Sequence, residues 1–181
     1  MSRSSSASSS SSSSAALPLA HVLLRVLVIG NWLWGVAMLV LLVAVPHKAW
    51  ILSAFKLTPS ADADRVILAL RAMLALGFPV IALNYAILSR LLAMVQTVRD
   101  GDPFVASNAH RLQTIAWALL ALQLLGFAIG AIAKSVSTPA HPIDIDAGSS
   151  LNGWLAVLLT FLLARVFAAG TEMRDDLQGT V

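Results

Sequence analysis

Four long apolar runs alternate with short polar segments, and that pattern predicts four helices. The runs extend from about Val22 to Val45, Val66 to Leu92, Leu112 to Ala133 and Leu151 to Gly170. An α-helix rises about 1.5 Å per residue, so roughly 20 apolar residues cross a hydrocarbon core of about 30 Å. Within the first three runs, Val26–Pro46, Ala72–Ser89 and Leu112–Ala133 carry no charge. The fourth is interrupted by Arg165 near its end, and it spans if the guanidinium snorkels towards the headgroups. The first run is too long for a signal-peptide core of about 7–15 residues. No Ala-x-Ala-like cleavage site precedes Pro46–His47–Lys48, so it reads as an uncleaved signal anchor. The predicted fold is all-α: a polytopic membrane protein, a bundle of four transmembrane helices.

Composition agrees with this pattern. Of 181 residues, 58% are hydrophobic and 12% charged, and the mean hydropathy is +0.82. A soluble domain carries about 25% charged residues. This chain lacks the charge to cover a water-facing surface, which excludes an ordinary soluble globule; the surplus apolar surface must meet lipid. The net charge of +3 comes with no run of Lys or Arg, so no direct nucleic-acid binding is expected. The absence of cysteine excludes disulfides, thiolate metal sites and a cysteine nucleophile. Residues 2–14 are serine except for Arg3 and Ala7, a composition expected to be disordered. The predicted organisation is a tail over 1–17, a membrane domain over 18–170 and a short C-terminal tail over 171–181.

Lys/Arg bias sets the orientation. Four spans place the N-tail, the loop between spans two and three, and the C-tail on one side. That side holds Arg3, Arg25, Arg90, Arg99, Arg111, Arg165 and Arg174, against Lys48, Lys56, Arg65, Arg71 and Lys134 on the other. The excess predicts cytoplasmic termini. Trp50 and Trp154 then fall at the outer interface, and Ala49–Phe55 is expected to lie flat on the outer surface.

The segment from Arg99 to Arg111 is the most informative. Gly101 suits the left-handed position that ends a helix. Asp102 suits an N-cap and Pro103 the first helical position, so the third helix is expected to begin near Pro103. Phe104, Asn108 and Leu112 would then share one face. The segment reads either as a well-capped hairpin or as a knob that docks a partner.

Gly101–Asp–Pro–Phe–Val, with Asn108 and Arg111–Leu112, resembles a bacterial membrane family catalogued only as a domain of unknown function (DUF 2975). The closing segment carries Ala164–Arg–Val–Phe167, Gly170 and Met173–Arg–Asp–Asp–Leu–Gln–Gly–Thr–Val181, which is similar to that family's final pattern. The resemblance covers roughly residues 20–181. Family members often carry Arg–Glu after the Phe, where this chain has Ala168–Ala169. The resemblance implies four membrane helices and no established activity. It also implies genomic neighbours encoding a small helix-turn-helix transcription factor, and hence a membrane-bound regulator.

Other features carry weaker signals. Gly126 and Gly130 form a G-x-x-x-G that lets helices approach closely, within the chain or in a homo-oligomer. Gly77 and Pro79 are expected to shape or hinge span two. Asn31, Asn84 and Gln123 are expected to hydrogen-bond between helices, and no Asp or Glu sits inside a span, which argues against an ion-coupled carrier. Arg25 and Arg165 read as anchors or as a basic ring for an anionic lipid headgroup. Asp62/Asp64 and Asp144/Asp146, near His47 and His141, match no defined metal motif. His21 and His110 fit a haem-ligand reading only weakly. No cofactor is expected. Metalloprotease, nucleophile-elbow, P-loop and dinucleotide motifs are all absent. The expectation is a non-enzymatic inner-membrane protein that binds a small cytoplasmic DNA-binding protein. The docking residues would be Asp102, Pro103, Phe104, Asn108, Arg111, Glu172, Arg174, Asp175 and Asp176. The alternatives are a small transporter or channel subunit, with a polar path along Asn31, Asn84 and Gln123, and a structural subunit of a larger membrane complex.

Overall fold

The computed structural model describes residues 10–44, 61–137, 148 and 150–178. They form α1 (Ser10–Ala44), α2 (Ala61–Arg99), α3 (Ala106–Val136) and α4 (Leu151–Gln178). Each contains a stretch long and apolar enough to cross a membrane: Leu17–Val43, Asp64–Arg99, Ala106–Val136 and Leu151–Arg174. In lipid a backbone N–H or C=O has no water to bond, so helices that satisfy their own ladders are the stable form for such sequences. The chain is an all-α, multi-pass membrane protein.

The helices run longer than the apolar patterning required. α1 starts at Ser10, inside the serine-rich segment expected to be a disordered tail. Once a helix is nucleated, each added residue gains a backbone bond at little further cost, and serine is a tolerable helix residue. α2 passes through Pro79 as one helix. The loop residues His47, His141, Asp144 and Asp146, which match no defined metal motif, the interfacial stretch Ala49–Phe55 with Trp50, and the side chains of Asp62 and Asp175 lie outside the described residues.

Neighbouring helices pack in chain order: α1 on α2, α2 on α3, α3 on α4. Among the described residues no other pair of helices touches. Small residues set the closest approaches. A Cβ at Gly35 would lie 3.4 Å from Ile81, and one at Gly77 3.6 Å from the Met38 sulfur. Ile67 and Leu74 on α2 are buried there, covered by Met38, Leu42 and Leu70. Asn31 crosses the same seam, its Nδ2 donating to the Ile81 carbonyl at 3.1 Å. Trp32 meets Tyr85 edge to face, with centroids 5.6 Å apart. α3 is the most enclosed helix, with Leu112, Ile115, Ala116, Ala118, Gly130 and Ala133 buried between α2 and α4.

These contacts pair rising residue numbers on one helix with falling numbers on the next, so consecutive helices are antiparallel. The N-terminus of α1, the α2–α3 turn and the C-terminus of α4 therefore gather at one end of the molecule. At the other end Gly148, at φ +81, lies against α3; a Cβ there would sit 2.5 Å from the Phe127 nitrogen. Trp154 Nε1 donates to the Gly148 carbonyl at 3.2 Å.

Candidate functional site

The α2–α3 turn and the C-terminal half of α4 form the densest polar arrangement in the described structure. Gly101 closes α2 at φ +86. Its N–H reaches the Val98 carbonyl at 3.2 Å, and the Asp102 N–H reaches the Thr97 carbonyl at 3.0 Å. That pair of bonds is the Schellman arrangement, which satisfies carbonyls a helix end would otherwise strand.

The expected start of the next helix is corrected. α3 begins at Ala106, its N-cap is the extended Val105, and no side chain caps it. Asp102 is not the N-cap and Pro103 is not the first helical residue. The Asp102 carboxylate pairs instead with Arg174 of α4, and the same guanidinium nitrogen donates to the Phe104 carbonyl at 2.9 Å. An ion pair across the turn satisfies the carboxylate better than orphan amides would, so residues 102–105 stay extended and bridge to α4.

Asn108 is the hub. It is 1% exposed. Its Nδ2 donates to Thr97 Oγ1 at 2.8 Å and to the Pro103 carbonyl at 2.8 Å. Its Oδ1 accepts from Arg111 Nη1 at 2.7 Å. Thr97 Oγ1 in turn donates to the Met94 carbonyl at 2.8 Å. One amide thus joins the end of α2, the turn and the first turns of α3. Asn108 is interior and fully engaged, so it supports a surface and does not itself meet a partner. Arg111 is half-buried beside it.

Phe104 stacks on Phe167 of α4, with centroids 5.4 Å apart and planes at 28°. Gly170 leaves room for its ring: a Cβ there would lie 3.7 Å from it. Phe104 still keeps 47% of its surface exposed, and Met173, one turn beyond, 63%. Thr171 is buried, its hydroxyl donating to the Phe167 carbonyl at 2.7 Å. Glu172 and Asp176 are exposed on the last turns of α4. Of the residues named from sequence, Asp102, Pro103, Phe104, Asn108, Arg111 and Arg174 come together here, with Glu172 and Asp176 on the adjoining rim. The sequence reading did not single out Thr97, and it named Phe167 only within the closing pattern that carries the resemblance, not as a partner of Phe104. Only the fold brings them against Asn108 and Phe104.

The other polar positions separate. Asn31 and Asn84 line a groove of about 540 Å³ between α1 and α2. Gln123 is on α3 at the opposite end of the row, packed against Gly153 of α4. Its Nε2 is buried without a hydrogen-bond partner among the described residues, so the expected interhelical bond is not made there. The three do not line one path. Gly126 lies against Gly148 and Gly130 is buried on α3, so both serve packing within the chain. Arg25 on α1 and Arg165 on α4 belong to helices that do not touch and form no ring among the described residues. No group of three or more His, Asp or Glu side chains poised for a metal occurs among the described residues.

No curated protein and no solved structure matches the chain. A family model does match, over residues 14–181, a range that takes in α1 from residue 14 onward, all of α2, α3 and α4, and the turn–α4 platform. The chain belongs to the family described as a protein of unknown function, DUF2975.

Proposed function

We propose that this chain is a non-enzymatic regulator of the bacterial inner membrane, with both ends in the cytoplasm, that holds a small helix-turn-helix DNA-binding protein at the membrane. The observation that carries the reading is the joining of two segments into one platform. Arg174 ties α4 to Asp102 and to the Phe104 carbonyl, and Phe167 stacks on Phe104. The platform offers Phe104 and Met173 as exposed apolar anchors, with Glu172 as an acidic rim. Buried apolar anchors with a charged rim are the usual anatomy of a docking patch. Acidic rim groups complement the basic surface that a DNA-binding domain presents. A factor held there cannot search the chromosome, so the mechanism is sequestration.

Co-purification of the full chain with the product of an adjacent helix-turn-helix gene tests this. Met173→Asp and Glu172→Lys are expected to lose the partner while leaving the chain folded in detergent. Retention of the partner by the double variant would overturn the reading. Asn108 variants are unsuited to the purpose, because they break the support of the platform.

A further inference from the structure

A second feature lies between α3 and α4, on the same side of the membrane as the Gly101 turn but displaced from the platform. His110 and Gln113 of α3 and Arg165 of α4 converge on an open groove of about 230 Å³. Phe161 forms part of its wall, and Ala109, Ala164 and Ala168 keep it open by being small. A single water requires about 10–15 Å³ of such space, so the groove admits a group of phosphate size or larger. Among the described residues no carboxylate lines it. Among the described residues the side chains of His110, Gln113 and Arg165 have no hydrogen-bond or ion-pair partner.

The placement of Arg165 gives this groove its meaning. It sits within the span Leu151–Arg174, nine residues before the end, hence about 13 Å deeper along the helix than Arg174. Leu162 and Val166 beside it are exposed to lipid. An unpaired guanidinium at that depth is unfavourable, and arginine in a span normally finds an anion or a carbonyl. Among the described residues neither is supplied. Leu158 and Leu162 continue the Arg165 face towards the membrane centre, and both are exposed.

We infer that this groove binds the phosphate of an anionic glycerophospholipid. Arg165 holds the phosphate through its planar fork, and the imidazole of His110 and the amide of Gln113 donate to the remaining oxygens. The acyl chains run along Leu158 and Leu162. The inference does not rest on the docking reading above, since none of its residues belongs to the platform.

Native mass spectrometry of the full chain in detergent tests it, with phosphatidylglycerol and phosphatidylcholine offered in equal amounts. Phosphatidylglycerol is expected to be retained preferentially and to raise the midpoint of thermal unfolding. Arg165→Gln is expected to weaken its retention about tenfold, the size of one lost charge-assisted hydrogen bond. Arg90→Gln, at an exposed arginine on α2, should leave retention unchanged. Equal retention of the two lipids by the unaltered chain overturns the inference, and needs no variant to fold. Undiminished retention by a folded Arg165→Gln chain also overturns it. Stabilisation by inorganic phosphate equal to that by phosphatidylglycerol would replace the lipid with a soluble anion and overturn it as well.

Discussion

Asn108 shows how much one buried amide can organise. Its three bonds connect Thr97, Pro103 and Arg111. Asn108→Leu keeps the volume and removes every bond. Leaving a buried polar partner unsatisfied costs about 1–3 kcal/mol, so a clear drop in the detergent unfolding midpoint is expected. Gly101 and Gly148 offer a second residue-scale comparison. Both have positive φ, which costs an L-residue roughly 1–2 kcal/mol. A Cβ at Gly101 meets open space, whereas one at Gly148 meets the α3 backbone. Gly148→Ala should therefore lower the unfolding midpoint distinctly more than Gly101→Ala; equal effects would contradict the contact. The role of Gly101 was legible in sequence, because a glycine after a basic helix end is a local signal. That of Gly148 was not, because its constraint comes from a helix more than twenty residues away.

Each helix follows from its apolar run, and its ends do not. The run reports which residues can sit in lipid. Helix ends depend on caps and tertiary contacts, which need not interrupt the hydrophobic pattern. The start of α3 illustrates this. Asp102–Pro103 carries the local signature of an N-terminus, yet Arg174 competes for the carboxylate from the far end of the chain. That competition is invisible without the fold. It also sets the expected behaviour of α4 beyond the membrane. The Arg174–Asp102 pair is about two-fifths exposed on both sides, so its net contribution to global stability is small, about 0–1 kcal/mol. Its local effect should be larger. Arg174→Ala is expected to speed amide hydrogen exchange in the last turns of α4 and in residues 102–105, while exchange in α1 and α2 stays unchanged. Uniform acceleration along the chain would mean that the pair supports the whole molecule.

At the scale of the molecule, contact order along the row makes α1 and α4 strangers. The absence of cysteine allows this to be checked with engineered pairs. Gly35→Cys with Ile81→Cys, across the α1–α2 seam, should crosslink within one chain on mild oxidation. Leu33→Cys with Leu158→Cys should crosslink only between separate copies, because both side chains face outwards on helices that do not meet. A monomeric crosslink for the second pair would show that the row closes on itself. The serial arrangement also has a consequence for biogenesis. Among the described residues every interhelical seam joins segments adjacent in the polypeptide, so each hairpin is completed as soon as its second half leaves the ribosome. No helix must wait in the bilayer for a distant mate, and loop closure stays inexpensive throughout translation. The exception is the last link made: Arg174 reaches back to Asp102 only once synthesis is nearly done, so the turn between the middle helices is locked by the final residues to arrive.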